Sequence, residues 1–424
     1  MKAREAAFRV VHEVVYKKGY SNIALEQIIK KGGYEGKDAG FITEITLGTL
    51  RNKIFLEHVI SNYSNVKIKK ISPSAMSALL IGSYQIIFMD RTPDSAACNE
   101  SVRIASKFAG SRTRGFVNAV LRAIAKDKKP IGGYLEGLEG IDYLSIRYSC
   151  SRDAVSKIMG QYGFEMTEKI LKGMNNAART CIRFNNLEND NEKLLVDRGI
   201  AFTRGVIASS AYYPKIYGSA ASLDLYKEGV ISIQDEGAQA MGEFTAPEPG
   251  NIVLDACASP GGKTLHLAAI MKNKGRITAC DIHPHRVKNM KDNIKRTAFD
   301  IIKCIQQNMT VKDDKYIDKF DIVLVDAPCS GLGTAQRRPE IKFQYEADES
   351  LYKLQDMILE NCADYVKPGG KLIYGTCTLF KEENRDVIER LLSKRDDYEP
   401  AGEKMILPDG RSGGFYMAGL ARKK

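Results

Sequence analysis

From Gly250 to its end the chain alternates short apolar runs with stretches of helical spacing, and that grammar admits few folds. The runs are NIVLDAC, RITACDI, IIKCIQQ, FDIVLVDAP and KLIYGTC, separated by segments such as KTLHLAAIM and HRVKNMKDNIKRTAF. Strands apolar along nearly their whole length belong to a mostly parallel sheet covered by helices on both faces. Such sheets bind ligands at the carboxyl ends of their strands, so the residues just past each run carry the functional information.

The first run leads into DACASPGGKT, a turn that opens a helix. Gly261 and Gly262 let the backbone approach a ligand, and the helix start offers free N–H groups. A phosphate-binding P-loop would read GxxxxGK followed by Ser or Thr. Gly262-Lys263-Thr264 satisfies its end, and IVLV before Asp326 imitates the strand whose aspartate holds magnesium. Cys257 stands where the first glycine should be, however, and Pro260 stiffens the turn and removes a donor. The dinucleotide fingerprint GxGxxG is missing too. The second run ends in Cys280-Asp281, 26 residues after Asp255. A carboxylate there can accept from both ribose hydroxyls of an adenosine-containing cofactor, or simply cap the helix that follows His283-Pro284. An adenosine ligand without a triphosphate fits both positions, and S-adenosylmethionine fits best.

The nine cysteines form no CxxC pair, and their spacing matches neither a disulfide framework nor a zinc site. Reduced thiols and no metal are expected. Cys98, Cys150, Cys181, Cys304 and Cys362 read as small buried apolar residues. Cys329, after Asp326-Ala327-Pro328, and Cys377, after KLIYGT, instead sit past strand ends on the ligand edge. A cysteine can add to carbon 6 of a pyrimidine and so make carbon 5 a nucleophile. A carboxylate such as Asp326 can bond the Watson–Crick edge of the base and steady charge on ring nitrogen 3. Spacing does not say which thiol attacks.

Ahead of this region the periodicity is helical from Lys2 to about Lys126, with helix starts at Ser21-Asn22, Ser72-Pro73 and Asp94-Ser95. Residues 1–130 hold 22 Lys+Arg against 11 Asp+Glu, whereas the rest of the chain holds 41 of each, so the whole net charge of +11 sits in front. A basic all-α bundle of that kind suits docking on a polyanion. DKKPIGG at 127–133 reads as a linker. Helical spacing returns over 142–174, followed by the strand-like pieces CIRFN, GIAFTRG, YPKIYG and VISIQ, with the helix-like ENDNEKLLVDRG among them. Three domains are expected: 1–130 all-α and basic, 131–235 small α+β, and 236–424 α/β. The longest apolar-leaning stretch, 77–89, is well short of the roughly 20 residues of a membrane-spanning helix. The first residues mix charge with apolar side chains at helical spacing, unlike a secretory signal. A cytoplasmic protein without a membrane partner is expected.

DACASPGGKT, DAPCSG and GTCT, in this order, resemble the Nop2/Sun RNA cytosine carbon-5 methyltransferases. QDEGAQ at 234–239, RRPEIKF at 337–343 and GGFYMAGL near the end are similar to further segments of that family, so the likeness covers roughly 145–424. TPDSAACNESVRIASKFAGSRTRGFVNAVLRAI, in the front, resembles the NusB antitermination fold. The resemblance implies a Rossmann-like catalytic domain behind a NusB-like one. It implies a cofactor loop formed by Cys257, Ala258, Ser259, Pro260, Gly261, Gly262 and Lys263, with Asp281 on the ribose. It further implies Asp326 facing the target cytosine beside the cofactor, Cys377 as nucleophile and Cys329 in product release. Where the family has an acidic residue on the adenine amine this chain has Asn308, whose amide oxygen can still accept a hydrogen bond. The pairing of domains implies 16S ribosomal RNA as substrate, unassembled or early in assembly, an unstacked loop cytosine as target, and a monomer. A different reading is an RNA-binding transcription or ribosome-assembly factor with a silent catalytic part, which Asn308 encourages.

Overall fold

Ser72 begins the clearest helix of the front region: its Oγ accepts from the Ala75 amide and Pro73 takes the first helical position, in a computed structural model that describes residues 2–187, 190–216 and 218–424. The helix Pro73–Phe88 is buried on nearly every side, which explains its apolar run as the axis of a bundle. Around it lie Ala3–Lys17, Ser21–Gly32, Gly36–Arg51, Lys53–Tyr63, Asp94–Ala109 and Thr113–Lys126, so all three expected helix starts fall within a residue of an observed one. None of the described helices is long and apolar enough to cross a membrane.

By contact the chain divides into two compact units, Met1–Asn176 with Ala335–Glu346, and Ala177–Thr334 with Ala347–Lys424. In the first unit the expected linker 127–133 is not a free tether. A short turn, Ile131–Tyr134, delivers Tyr134 and Leu135 into the bundle core, where Tyr134 meets Phe55 edge-on with ring centroids 5.9 Å apart. Helices Gly140–Tyr148 and Arg152–Asn175 continue the unit, the latter interrupted at Gly163. The RRPEIKF stretch lies in this unit as well: Phe343 packs on the core and Glu340 Oε1 accepts from the Ser21 amide at 3.1 Å. Lys342, fully buried, donates to the carbonyls of Arg51 and Tyr148 and to Asn175 Oδ1.

The second unit holds two sheets. The smaller is antiparallel, built from β1 (Ile182–Phe184), β2 (Phe202–Arg204), β3 (Tyr212–Pro214) and β4 (Ile231–Ile233) in the order β2-β3-β1-β4. YPKIYG contributes to it only at its first two residues, because Pro214 has no amide to carry the ladder onward. Met1, Tyr217 of that piece, and Glu188 and Asn189 at the start of the helix-like ENDNEKLLVDRG, lie outside the described residues; the helix runs Asn191–Asp197.

The larger sheet contains β5 (Ile252–Asp255), β6 (Arg276–Asp281), β7 (Ile302–Gln306), β8 (Phe320–Asp326), β9 (Val366–Thr376), β10 (Tyr398–Ile406) and β11 (Phe415–Arg422), ordered β10-β11-β9-β8-β5-β6-β7. β5 to β9 pair in parallel and the β10–β11 hairpin adds an antiparallel edge. Each apolar run of the sequence therefore became a strand. From β5 the chain first builds outward through β6 and β7, then returns to place β8 on the other side of β5. That reversal opens a crevice at the carboxyl ends of β5 and β8, the usual ligand site of such sheets.

Candidate active site

Strand register brings the two cysteines together. Asp326 at the end of β8 is paired with Gly375 of β9, and the Ala327 amide donates to the Gly375 carbonyl at 2.9 Å, so both chains leave the sheet side by side. Cys329 and Cys377, a few residues further on, meet with their sulfurs 3.4 Å apart, each partly exposed. The hydrogen bond with Cys377 pushes the Cys329 thiol well above its ordinary pKa, helped by burial and by the nearby charge of Glu383. A pKa raised in this way favours the protonated form of Cys329, and either sulfur can be the donor across the contact.

DACASPGGKT leaves β5 and is strapped to β6 by the Ala258 amide, which donates to the Cys280 carbonyl at 2.8 Å. The Ser259–Pro260 bond is cis. Gly261 has φ +98°, a conformation that glycine takes without a Cβ penalty, and as N-cap of helix Gly262–Ile270 it brings no capping side chain. The first amides of the helix therefore have no side-chain cap, the arrangement in which a helix start can receive an anionic group.

Within this loop Thr264 Oγ1 donates to Asp255 Oδ2 at 2.7 Å, and Lys263 Nζ donates to Asp326 Oδ2 at 2.7 Å. These are the two side chains that a P-loop would turn toward magnesium and phosphate. Here both bond the strand-end carboxylates instead, an arrangement unlike that of a phosphate-binding loop. Burial pulls the Lys263 ammonium down, but Asp326, with Cys377 and Asp255, outweighs it and leaves the pKa above ordinary. Asp255 is fully buried with Oδ1 unpartnered, and desolvation, with Asp326 nearby, pushes it up to about 7. Cys257, in the same loop, is also pushed up by burial, which makes it an inert thiol.

Asp281 ends β6 with 6% of its surface exposed; its Oδ1 accepts from the His283 amide at 2.9 Å and Oδ2 lies 3.8 Å from Arg286. The helix Pro284–Thr297 has His283 as its N-cap with no side-chain cap, so Asp281 does not cap it; one oxygen closes a turn on the His283 amide and the other remains able to accept from a ribose. Asn308, two residues beyond β7, is partly exposed, and its Oδ1 accepts from both the amide (3.0 Å) and the hydroxyl (2.8 Å) of Thr310. Both lone pairs of that oxygen are used locally, so an adenine amine would have to displace one.

No pattern in the sequence points to Glu383, a buried carboxylate in a short turn after β9 that bonds the backbone of the Cys329 loop. A charged residue in the polar run KEEN reads as surface, and only the fold turns it inward. Glu236 of QDEGAQ is similar: fully buried, it accepts from the amides of Val206, Ile207 and Ala208 and from the Tyr213 hydroxyl.

A doubly wound sheet with a glycine turn after its first strand, an acidic end to its second and two thiols across the crevice defines a Rossmann-like methyltransferase. Residues 243–416 match the 16S rRNA methyltransferase RsmB/F family and residues 1–126 match the NusB family. The chain is 34% identical over 403 residues to the probable ribosomal RNA small subunit methyltransferase B of Bacillus subtilis, spanning 94% of this chain and 89% of the relative. It is 30% identical over 409 residues to ribosomal RNA small subunit methyltransferase B of Vibrio cholerae, spanning 91% and 90%. The crystal structure of PH0851 superposes with a TM-score of 0.82 over 99% of each chain at 25% identity. The chain belongs to the RsmB/F family of ribosomal RNA methyltransferases, with a NusB-family front.

Proposed function

We propose that the protein methylates carbon 5 of one cytosine in 16S ribosomal RNA through a covalent adduct on Cys377, with S-adenosylmethionine as methyl donor. The observation that carries this reading is the Cys329–Cys377 contact at 3.4 Å beside the Lys263–Asp326 pair, at the mouth of a loop suited to an adenosine ligand.

The residues present fit that cofactor: the Gly261 turn and the uncapped helix start can hold its amino-acid end, and the second oxygen of Asp281 can accept from its ribose. When bound there it supplies a methyl group on a positively charged sulfur. Cys377, as thiolate, adds to carbon 6, and the electron pair displaced from the carbon 5–carbon 6 bond makes carbon 5 nucleophilic. Asp326, held in place by Lys263, accepts from the exocyclic amine on the Watson–Crick edge, and from ring nitrogen 3 once that nitrogen takes a proton from solvent as Cys377 adds. After carbon 5 is methylated, its hydrogen leaves as a proton to a base, the double bond re-forms and Cys377 departs as thiolate. Cys329, still protonated, donates to the departing sulfur and so favours release. In this reading residues 1–130 dock on RNA, 131–235 help to place it, and 236–424 do the chemistry, as a cytoplasmic monomer acting on unassembled or early-assembly RNA.

A denaturing gel with labelled RNA tests the assignment. Cys377→Ala is expected to lose methylation and form no adduct, whereas Cys329→Ala is expected to trap the enzyme–RNA adduct. An adduct with Cys377→Ala and none with Cys329→Ala reverses the roles. The bonds that occupy Asn308 Oδ1 favour a second reading, an RNA-binding factor that no longer binds the cofactor. Transfer of labelled methyl to RNA excludes it.

A further inference from the structure

Glu383 is assigned no contact with a reacting atom in the chemistry above, yet it is 1% exposed and, beyond its charge beside Cys329, reaches both cysteine loops. Its Oε2 accepts from the Ser330 amide at 2.8 Å and from Gln355 Nε2 at 3.1 Å; its Oε1 lies 3.4 Å from the Thr378 hydroxyl. Gln355 Nε2 also donates to the Pro328 carbonyl at 2.9 Å, and the Ser330 and Thr378 hydroxyls meet at 2.8 Å. Pro328 and Ser330, the residues on either side of Cys329, are therefore both tied to this carboxylate or to its partner. Next in sequence, Asn384 bonds the Thr376 hydroxyl and the Thr378 carbonyl, on either side of Cys377. The Tyr374 hydroxyl, buried in β9, fixes the turn by donating to the Glu383 carbonyl at 2.7 Å.

Among the described residues the Glu383 side chain bonds an amide N–H, a carboxamide and a hydroxyl, all of them neutral. Burying a carboxylate on neutral donors is costly, and packing alone does not require it. The Cys377 side of the pair needs no such anchor, since Thr376 is still within β9. The Cys329 loop has left β8 three residues earlier and depends on side-chain bonds for its place.

We infer that Glu383 is a positioning residue for product release: it holds the Cys329 loop so that the thiol stays within hydrogen-bond reach of Cys377. The inference rests on the proposed role of Cys329 in release. Without the carboxylate, Cys377 can still attack, but its departing sulfur loses a fixed donor. The Glu383 variant then resembles Cys329→Ala rather than Cys377→Ala.

The test compares wild type, Cys329→Ala and Glu383→Gln with ribosomal RNA and labelled S-adenosylmethionine, reading first-turnover methyl transfer, steady-state turnover and adduct on a denaturing gel. Glu383→Gln is expected to transfer the first methyl within about threefold of wild type, to slow at least about tenfold afterwards and to accumulate adduct. A loss of fold would lower all three readouts together, and Thr378→Val, which removes one link from the same network, then decides by the same split. Glu383→Gln or, failing it, Thr378→Val turning over as wild type, or losing the first turnover with no adduct, overturns the inference. Cys329→Ala that fails to trap strikes the release assignment itself. Cys329→Ala that traps while the Glu383 and Thr378 variants do not strikes this inference alone.

Discussion

Asp255 is buried at a cost in the site. Its buried carboxyl, with one oxygen unpartnered, titrates near pH 7 rather than in the ordinary carboxylate range. A folded-state pKa raised in this way means that the native state holds the proton more tightly than the unfolded chain. Its contribution to stability is complete below about pH 4 and is lost as pH rises through 7, by on the order of 4 kcal/mol if the whole shift is expressed. Asp255→Asn keeps an acceptor for Thr264 and removes the charge. The variant should therefore lose less thermal stability than wild type between pH 5 and pH 8. Melting curves at the two pH values check this, and parallel losses in both proteins would show that folding does not raise the Asp255 pKa. Residues of this sort also mark where sequence reading stops. Asp281, Asp326 and the two cysteines were legible because each follows an apolar run, whereas Glu383 and the engagement of Asn308 by Thr310 depend on how loops close after the strands end.

Among the elements, the five parallel strands were legible because burial on both faces leaves a continuous apolar run. The β10–β11 hairpin was not. β10 reads YEPAGEKMI, with residues 399–404 exposed, so its polar edge looks like a loop, and β11 is recognisable only once it lies beside β9. The turn after β5 was legible for a specific reason, since a proline followed by two glycines before a helix leaves little but a tight turn. Gly261 tests that element. Alanine at φ +98° costs about 1–2 kcal/mol, and its Cβ would sit 3.4 Å from Met290 Cγ. If the strain falls on the loop, Gly261→Ala should weaken S-adenosylhomocysteine binding roughly tenfold with little change in RNA affinity. Calorimetric titration measures the first and a gel shift the second; unchanged nucleoside affinity would remove this turn from the cofactor site.

For the whole molecule, charge marked the front unit as distinct but did not mark its limits. All of the excess charge lies in residues 1–130, but the apolar cover of that bundle extends through Leu135, Ile146 and Phe343, which no linker signal announced. Arg112, Arg114 and Arg122 are exposed on or beside the helix Thr113–Lys126. Changing all three to alanine should weaken binding to ribosomal RNA and lower the log–log salt slope by about 2 to 3, at roughly 0.7–0.9 for each phosphate no longer neutralised. An unchanged slope would move the RNA-binding surface elsewhere. The central claim, carbon-5 methylation through Cys377, is met most directly by chemistry on the product. Unmodified 16S ribosomal RNA is incubated with labelled S-adenosylmethionine and either wild type or Cys377→Ala, digested to nucleosides and separated by chromatography. The account predicts label in 5-methylcytidine with wild type and none with the variant; label in any other nucleoside, or equal label from both proteins, contradicts it.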